Sequence, residues 1–193
     1  MNVVAFNASP RKNGNTSLLI SMVFETLKKE GISCELIHIG GKPLQGCRAC
    51  DQCYKLKNNQ CIFKDDELNG YIEKMIQADA ILLGSPTYFA NVTAEMKAFI
   101  DRSGRVGRAN GYLFKHKVAA AIIAVRRAGS LEAFDAINHF FLIEQMIVAG
   151  SIYWNLGIGG KIGEVDSDDE ARKNMENLGK NIAWILQKIH KSK

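Results

Sequence analysis

The sequence predicts a doubly wound α/β domain: five parallel strands in the order 2-1-3-4-5, with helices on both faces. Three observations predict it. Short apolar runs alternate along the chain with stretches of helical periodicity, five of each. The run AILLGS at 80–85 does not alternate apolar with polar, as expected of a strand covered on both faces. The length of 193 residues is that of one domain able to bury a real core.

In chain order, NVVAFN (2–7) reads as the first strand. A polar, glycine-bearing loop follows it, then an amphipathic helix from about Thr16 to Glu30. CELIHI (34–39) reads as the second strand, followed by a cysteine-rich insertion over 40–64. Asp65 and Asp66 then start a helix whose acidic first turn suits the macrodipole. AILLGS is the third strand, and a helix runs from about Thr93 to Arg108. KVAAAIIAV (117–125) is the fourth strand, Leu131–Val148 is helical, and SIYWN (151–155) is the fifth strand. The last helix opens on a capping box, Ser167 with Glu170.

The composition, 47% hydrophobic and 23% charged, is ordinary for a globular chain, and there is no internal repeat. The longest apolar run, around Val118–Val125, is far short of the roughly 20 residues that span a bilayer, so no membrane partner is expected. Met1 leads straight into the first strand with no targeting signature, which predicts a cytoplasmic protein. The net charge of +5 is spread along the chain; its local concentrations are Arg102, Arg105, Arg108 and the KIHKSK tail. Without a recognition motif this reads as a solvated surface, not as nucleic-acid binding.

In a doubly wound sheet of this order, ligands bind at the carboxyl ends of strands 1 and 3, where the strand order reverses. The loop after strand 1, NASPRKNGNTS (7–17), offers hydroxyls, amides, a glycine and Arg11 just before a helix N-terminus. Free N–H groups and the positive dipole end make such a turn an anion site, and Arg11 can pair with a phosphate. The alternative is a plain polar turn capped by Asn15 or Thr16. The loop matches neither GxxxxGK[ST] nor GxGxxG and holds no cysteine nucleophile, which leaves a monophosphate cradle. After strand 3, SPTYFANVTAEMK (85–97) sets Tyr88, Phe89 and Asn91 at the other lip, suited to walling and edging a planar ligand. The aromatics could equally belong to the core, with Asn91 capping the next helix.

These two stretches, NASPRKNGNTS and GSPTYFANVTAEMKAFIDR, resemble the NADPH-dependent FMN reductase group of flavodoxin-like proteins. The cysteine run resembles that group's iron–sulfur flavoprotein branch. The resemblance covers nearly the whole chain and implies one flavodoxin-like FMN-binding domain over 1–193. It assigns Ser9, Arg11, Asn13, Asn15, Thr16 and Ser17 to the FMN phosphate. Pro86, Thr87, Tyr88, Phe89 and Asn91 go to the ribityl chain and flavin ring. At the strand-4 exit, Arg126 or Arg127 would place charge near the flavin edge or meet the 2′-phosphate of NADPH, with a plain surface pair as the alternative.

Cys47, Cys50, Cys53 and Cys61 form C-x2-C-x2-C-x7-C. In a reducing compartment such density reads as metal or redox chemistry. Three thiolates at successive short spacing with a distant fourth suit a [4Fe–4S] cluster better than zinc, which draws two separated pairs. The run departs from the ferredoxin pattern in its last gap and in Ile62 at the position of the usual proline. Free or redox-active thiols are the alternative, then zinc. Cys34 is expected to be a buried spectator.

His38, His116, His139 and His190 are dispersed and unsuited to a metal or general-base role. Trp154 and Trp184 are expected in the core or a subunit contact, and FFLIEQMIV (140–148) suggests an interface in a homodimer or homotetramer. The expected function is an FMN-dependent oxidoreductase that takes hydride from NAD(P)H and passes electrons to a small-molecule or protein acceptor, through the cluster if one is present. Its rivals are an electron carrier charged by a ferredoxin-like partner and a zinc or thiol redox-sensing module.

Overall fold

The computed structural model describes residues 1–191, with Lys191 as backbone only; Ser192 and Lys193 of the basic tail lie outside the described residues. The elements run β1 (Asn2–Asn7), α1 (Asn15–Lys29), β2 (Ser33–His38), α2 (Gln52–Leu56), α3 (Leu68–Gln77), β3 (Ala80–Pro86), α4 (Ala94–Ala109), β4 (Val118–Val125), α5 (Ser130–Ile143), β5 (Ile147–Val148) and β6 (Leu156–Ile158). A single 3₁₀ turn (Glu164–Ser167) and α6 (Asp169–Lys191) complete the chain. The strands pair in parallel in the order β2-β1-β3-β4-β5, with β6 also on β4. This is the doubly wound sheet that the sequence predicts.

Strand residues alternate between two cores. Val4, Phe6, Ile81, Leu83, Ala121 and Ile123 face α3, α4 and α5. Val3, Ala5, Leu82, Ala120 and Ile122 face α1 and α6. Burying a side chain such as Phe6 is worth about 1.5–3 kcal/mol, and its ring lies 4.7 Å from Phe99 and 5.8 Å from Tyr71. This aromatic cluster anchors α3 and α4 on β1. At Gly84 an added Cβ would stand 2.7 Å from Ile20 Cδ1 and 2.9 Å from Thr16 Cγ2, so the bare backbone lets the first turn of α1 lie directly on β3.

The fifth strand departs from expectation. SIYWN is a loop, and the edge is split into β5, beside Val118 and Ala119, and β6, beside Ile123–Val125. Gly150 and Ser151 interrupt the run, and Ile152, Tyr153 and Trp154 point to solvent. The helix expected over 131–148 stops at Ile143, and Gln145 turns the chain with φ 60°. Among the tryptophans, neither Trp154 nor Trp184 is in the core.

The helix starts differ too. Asp168, not Ser167, opens α6: its Oδ1 accepts from Ala171 N at 2.9 Å and its Oδ2 from Ile158 N at 2.8 Å, tying the helix to β6. α3 begins at Leu68 with no acid in its first turn, because Asp66 is drawn into an ion pair with Arg102. The cysteine insertion contains the short helix α2. Cys34 is half-buried, its thiol donating to Ile32 O at 3.5 Å. No described helix is long and apolar enough to cross a membrane.

Candidate functional site

The exits of β1, β3 and β4 frame a cleft of about 180 Å³ that Ser9, Arg11, Thr16, Thr87, Tyr88 and Arg126 help to line. Gly14 precedes α1 in an extended conformation, and no side chain caps the helix. The N–H groups of Asn15, Thr16 and Ser17 have no intrahelical acceptor, as at any helix start. Thr16 is 1% exposed and its Oγ1 has no hydrogen-bond partner. Across the cleft, Thr87 Oγ1 is likewise buried without a partner.

Two orphaned hydroxyls at facing lips are costly unless a ligand completes them. The cleft lining holds two arginines and no carboxylate, and neither Arg11 nor Arg126 makes a side-chain hydrogen bond or ion pair among the described residues. Free helix N–H groups, unsatisfied hydroxyls and a guanidinium at Arg11 are the donor set of a phosphate monoester, so the residues present fit the FMN phosphate.

Other expected phosphate residues have different places. Ser9 is buried, and its Oγ accepts from Arg11 N at 3.2 Å, shaping the turn. Asn13 is exposed and Ser17 half-buried, and neither is among the residues that line the cleft. Asn15 spends both amide hydrogens on Gly159 O and Lys161 O, each at 2.9 Å, and its Oδ1 accepts from Gly163 N at 2.9 Å. Its side chain has no hydrogen left to donate to an anion, which leaves its backbone N–H; the side chain fastens the exit of β6 over the cleft. The Gly159–Gly160 wall that it holds went unnoticed in the sequence, where the pair after LGI was the available signal.

At the second lip, Tyr88 and Asn91 exchange backbone hydrogen bonds of 2.8 and 3.0 Å around Phe89 and Ala90, whose φ angles are 47° and 55°. Two consecutive left-handed residues that are not glycine cost of order 1–3 kcal/mol each, and the turn lifts Phe89 fully into solvent, outside the cleft. Tyr88 stays at its wall. Asn91 Oδ1 accepts from Val92 N, while Thr93 caps α4, accepting from Met96 N. Thr93 Oγ1 also donates to Ala8 O at 3.1 Å, joining the two lips. Gly40, also missed in the sequence, lets the exit of β2 press on the first lip: a Cβ there would stand 2.1 Å from Ser9 O. Arg126 borders both this cleft and a neighbouring one of about 530 Å³ with Arg127, Lys161 and Glu164; of the two, Arg127 borders the second.

The four cysteines of the run line one small pocket, of about 20 Å³, with Phe63, Arg102 and Arg105. Cys53, on α2, is buried, and burial pushes its thiol up; Cys47 and Cys50 are exposed and Cys61 half-buried. Ala49, Asp51, Lys57 and Asn59 are all left-handed, so side chains outside the loop must hold this strained segment. Arg105 pairs with Asp51, Asn69 Oδ1 accepts from Cys61 N at 2.8 Å, and Asn110 Oδ1 accepts from Asn59 N at 3.0 Å. Arg102, expected at a solvated surface, is buried and paired with Asp66. Among the described residues no three Cys, His, Asp or Glu side chains are grouped so that they could hold a metal ion. Four cysteines lining one pocket beside two arginines supply the ligand type and number that a [4Fe–4S] cluster takes.

The sheet order, with the crevice at its switch point, defines a flavodoxin-like fold. More specifically, residues 1–161 match the family described as NADPH-dependent FMN reductase, and the chain belongs to that family. It is 35% identical over 198 residues to an iron-sulfur flavoprotein of Methanocaldococcus jannaschii, covering 99% of this chain and 100% of the relative. It is 41% identical over 149 residues to an iron-sulfur flavoprotein of Archaeoglobus fulgidus, covering 76% of this chain and 71% of the relative. Among solved structures, a WrbA-like flavodoxin from Agrobacterium tumefaciens superposes with a TM-score of 0.66 at 14% identity, over 97% of each chain.

Proposed function

We propose that the protein is an FMN-dependent oxidoreductase that accepts hydride from NAD(P)H and passes electrons to an acceptor through a [4Fe–4S] cluster on Cys47, Cys50, Cys53 and Cys61. The observation that carries the flavin site is the pair of unpartnered hydroxyls, Thr16 Oγ1 and Thr87 Oγ1, across an acid-free cleft. The cluster reading is supported by the single cavity that the four cysteines share and by relatives that carry the iron-sulfur name.

Bound flavin supplies two-electron acceptance from a nicotinamide and release of electrons one at a time. The chain's own part is binding and orientation. The first turn of α1, with Thr16 and Arg11, neutralises the phosphate, and Thr87 donates from the opposite lip. Tyr88 gives a flat wall, and Asn15 holds Gly159 and Gly160 against the ligand. Arg126 sets positive charge at the rim, where it favours an anionic reduced ring and, with Arg127 and Lys161, the phosphates of a nicotinamide dinucleotide. A ferredoxin-like protein, a quinone-like small molecule or another acceptor would collect the electrons, and the apolar surface around Leu142 and Ile143 is a candidate contact between copies of the chain.

Anaerobic purification and an absorption spectrum test the reading. Expected are a flavin band that bleaches on mixing with NADPH or NADH, and iron and sulfide at about four each per chain. A flavin band that survives both nicotinamides removes the hydride step and leaves a carrier filled by a protein partner. Zinc at one per chain removes the cluster.

A further inference from the structure

Arg102 heads the largest fully buried side chains in the structure, at 1% exposure, and it lies against the cysteine cavity. Its fork is divided. Nη1 donates to the Asp66 carboxylate and to Gln45 O at 3.2 Å. Nη2 donates to Cys61 Sγ and to Phe63 O, both at 3.4 Å. Asp66 in turn accepts from Gln45 N at 3.3 Å and from Leu68 N at 3.2 Å. One ion pair thus grips both stems of the cysteine segment, just before Cys47 and just after Cys61. Burial works against both charges, yet each keeps the other ionised: Arg102 is held above its usual range and Asp66 below its own.

Gripping the stems needs only the carbonyls of Gln45 and Phe63 and the carboxylate. The N–H directed at Cys61 sulfur is additional, and it acts on charge. We propose that Arg102 is a positioning residue that raises the reduction potential of the sulfur centre through its hydrogen bond to Cys61, and that Asp66 sets how much of the guanidinium's charge the centre feels. The proposal rests on the cluster reading above. Reduction adds one electron to the cluster, drawn from reduced flavin in the protein or from a mediator in a titration, and makes or breaks no bond to the chain. The added negative charge spreads onto the ligand sulfurs, so a donor and a cation beside Cys61 stabilise the reduced form more than the oxidised form. A carboxylate close by opposes them.

The test is a mediated potentiometric titration of the anaerobically purified holoprotein, followed by electron paramagnetic resonance of the reduced cluster. Arg102→Gln removes the cation and leaves Asp66 uncompensated, so the potential falls. Asp66→Asn leaves the guanidinium uncompensated, so it rises. Arg102→Lys keeps the charge but loses the fork, and falls between Arg102→Gln and the parent. Either single change breaks the same ion pair, so general loosening of the loop would not drive the two potentials in opposite directions. Should Arg102→Gln fail to hold iron, Arg102→Lys against Asp66→Asn reads the same sign. Potentials that match the parent's or move together overturn the inference, as does loss of iron from all three variants with the fold intact by circular dichroism, which would make Arg102 a clamp only. Parent protein without iron and sulfide would remove the cluster reading itself, and the inference with it.

Discussion

Glu144, at the end of α5, is fully buried, and neither of its carboxyl oxygens has a hydrogen-bond partner. Gly104 and Gly107 on α4 leave the notch that takes it: a Cβ on Gly107 would stand 2.7 Å from Glu144 Oε2, and one on Gly104 would stand 3.5 Å from Oε1. Two glycines inside one helix each cost roughly 0.5–1 kcal/mol relative to alanine. Burial raises the Glu144 carboxyl from 4.5 to about 7, partly offset by Arg108. Arg105 and His139 also border the groove, as do the Lys97–Asp101 pair and Tyr54. Because the folded state holds this proton more tightly than the unfolded chain, the contribution of Glu144 to stability is most favourable at low pH. It declines as pH rises from 4.5 through about 7. The full difference, at 1.36 kcal/mol per pKa unit, is about 3 kcal/mol. Glu144→Gln removes the titration while keeping the shape. Urea melts of the holoprotein should show the variant close to the parent near about pH 5 and more stable by up to about 3 kcal/mol near about pH 8.5. In thermal melts, 1 kcal/mol is about 2–4 °C for a chain of this size. Stability differences that do not vary between the two pH values, or a variant weakened at high pH, would refute the reasoning.

Thr16→Val removes one orphaned hydroxyl without changing shape; a lost bond to a charged phosphate is worth about 1.5–3 kcal/mol, so FMN affinity measured by flavin fluorescence should fall about 10- to 100-fold. An unchanged affinity would remove Thr16 from the cradle. Gly40→Ala forces Ser9 aside, and urea melts should show a loss of about 1–3 kcal/mol together with weaker flavin binding. Asn15→Ala releases the β6 exit, so hydrogen exchange at Gly159–Gly163 should accelerate; unaltered exchange there would show that the amide is not what holds this wall.

The strands and helices that periodicity alone could identify are where the sequence puts them, to within a residue or two, for β1, α1, β2, β3, α4 and β4. Each is decided by contacts of one face with one core, and that requirement is written into local spacing. The fifth strand failed because aromatic, β-branched SIYWN has strand propensity, but Gly150 and Ser151 turn it away from β4. Propensity is a weak prior beside an available edge. The capping box failed for a related reason: Asp168 gains a bond to Ile158 on another element, which Ser167 does not have.

At the site, the sequence determined the crevice, the polar turn at the start of α1 and the grouping of four cysteines, because a strand end, a helix start and a short spacing are local facts. Only the tertiary structure decided what each side chain does there. Asn15 became a brace because residues 159–163 fold back onto it, and Phe89 left the cleft because its turn is left-handed. Arg102 turned from a surface charge into the buried partner of Asp66 and Cys61. Hydrogen-bond partners far apart in the chain leave no periodic trace, and a buried polar group's role is set by the partners that folding brings to it.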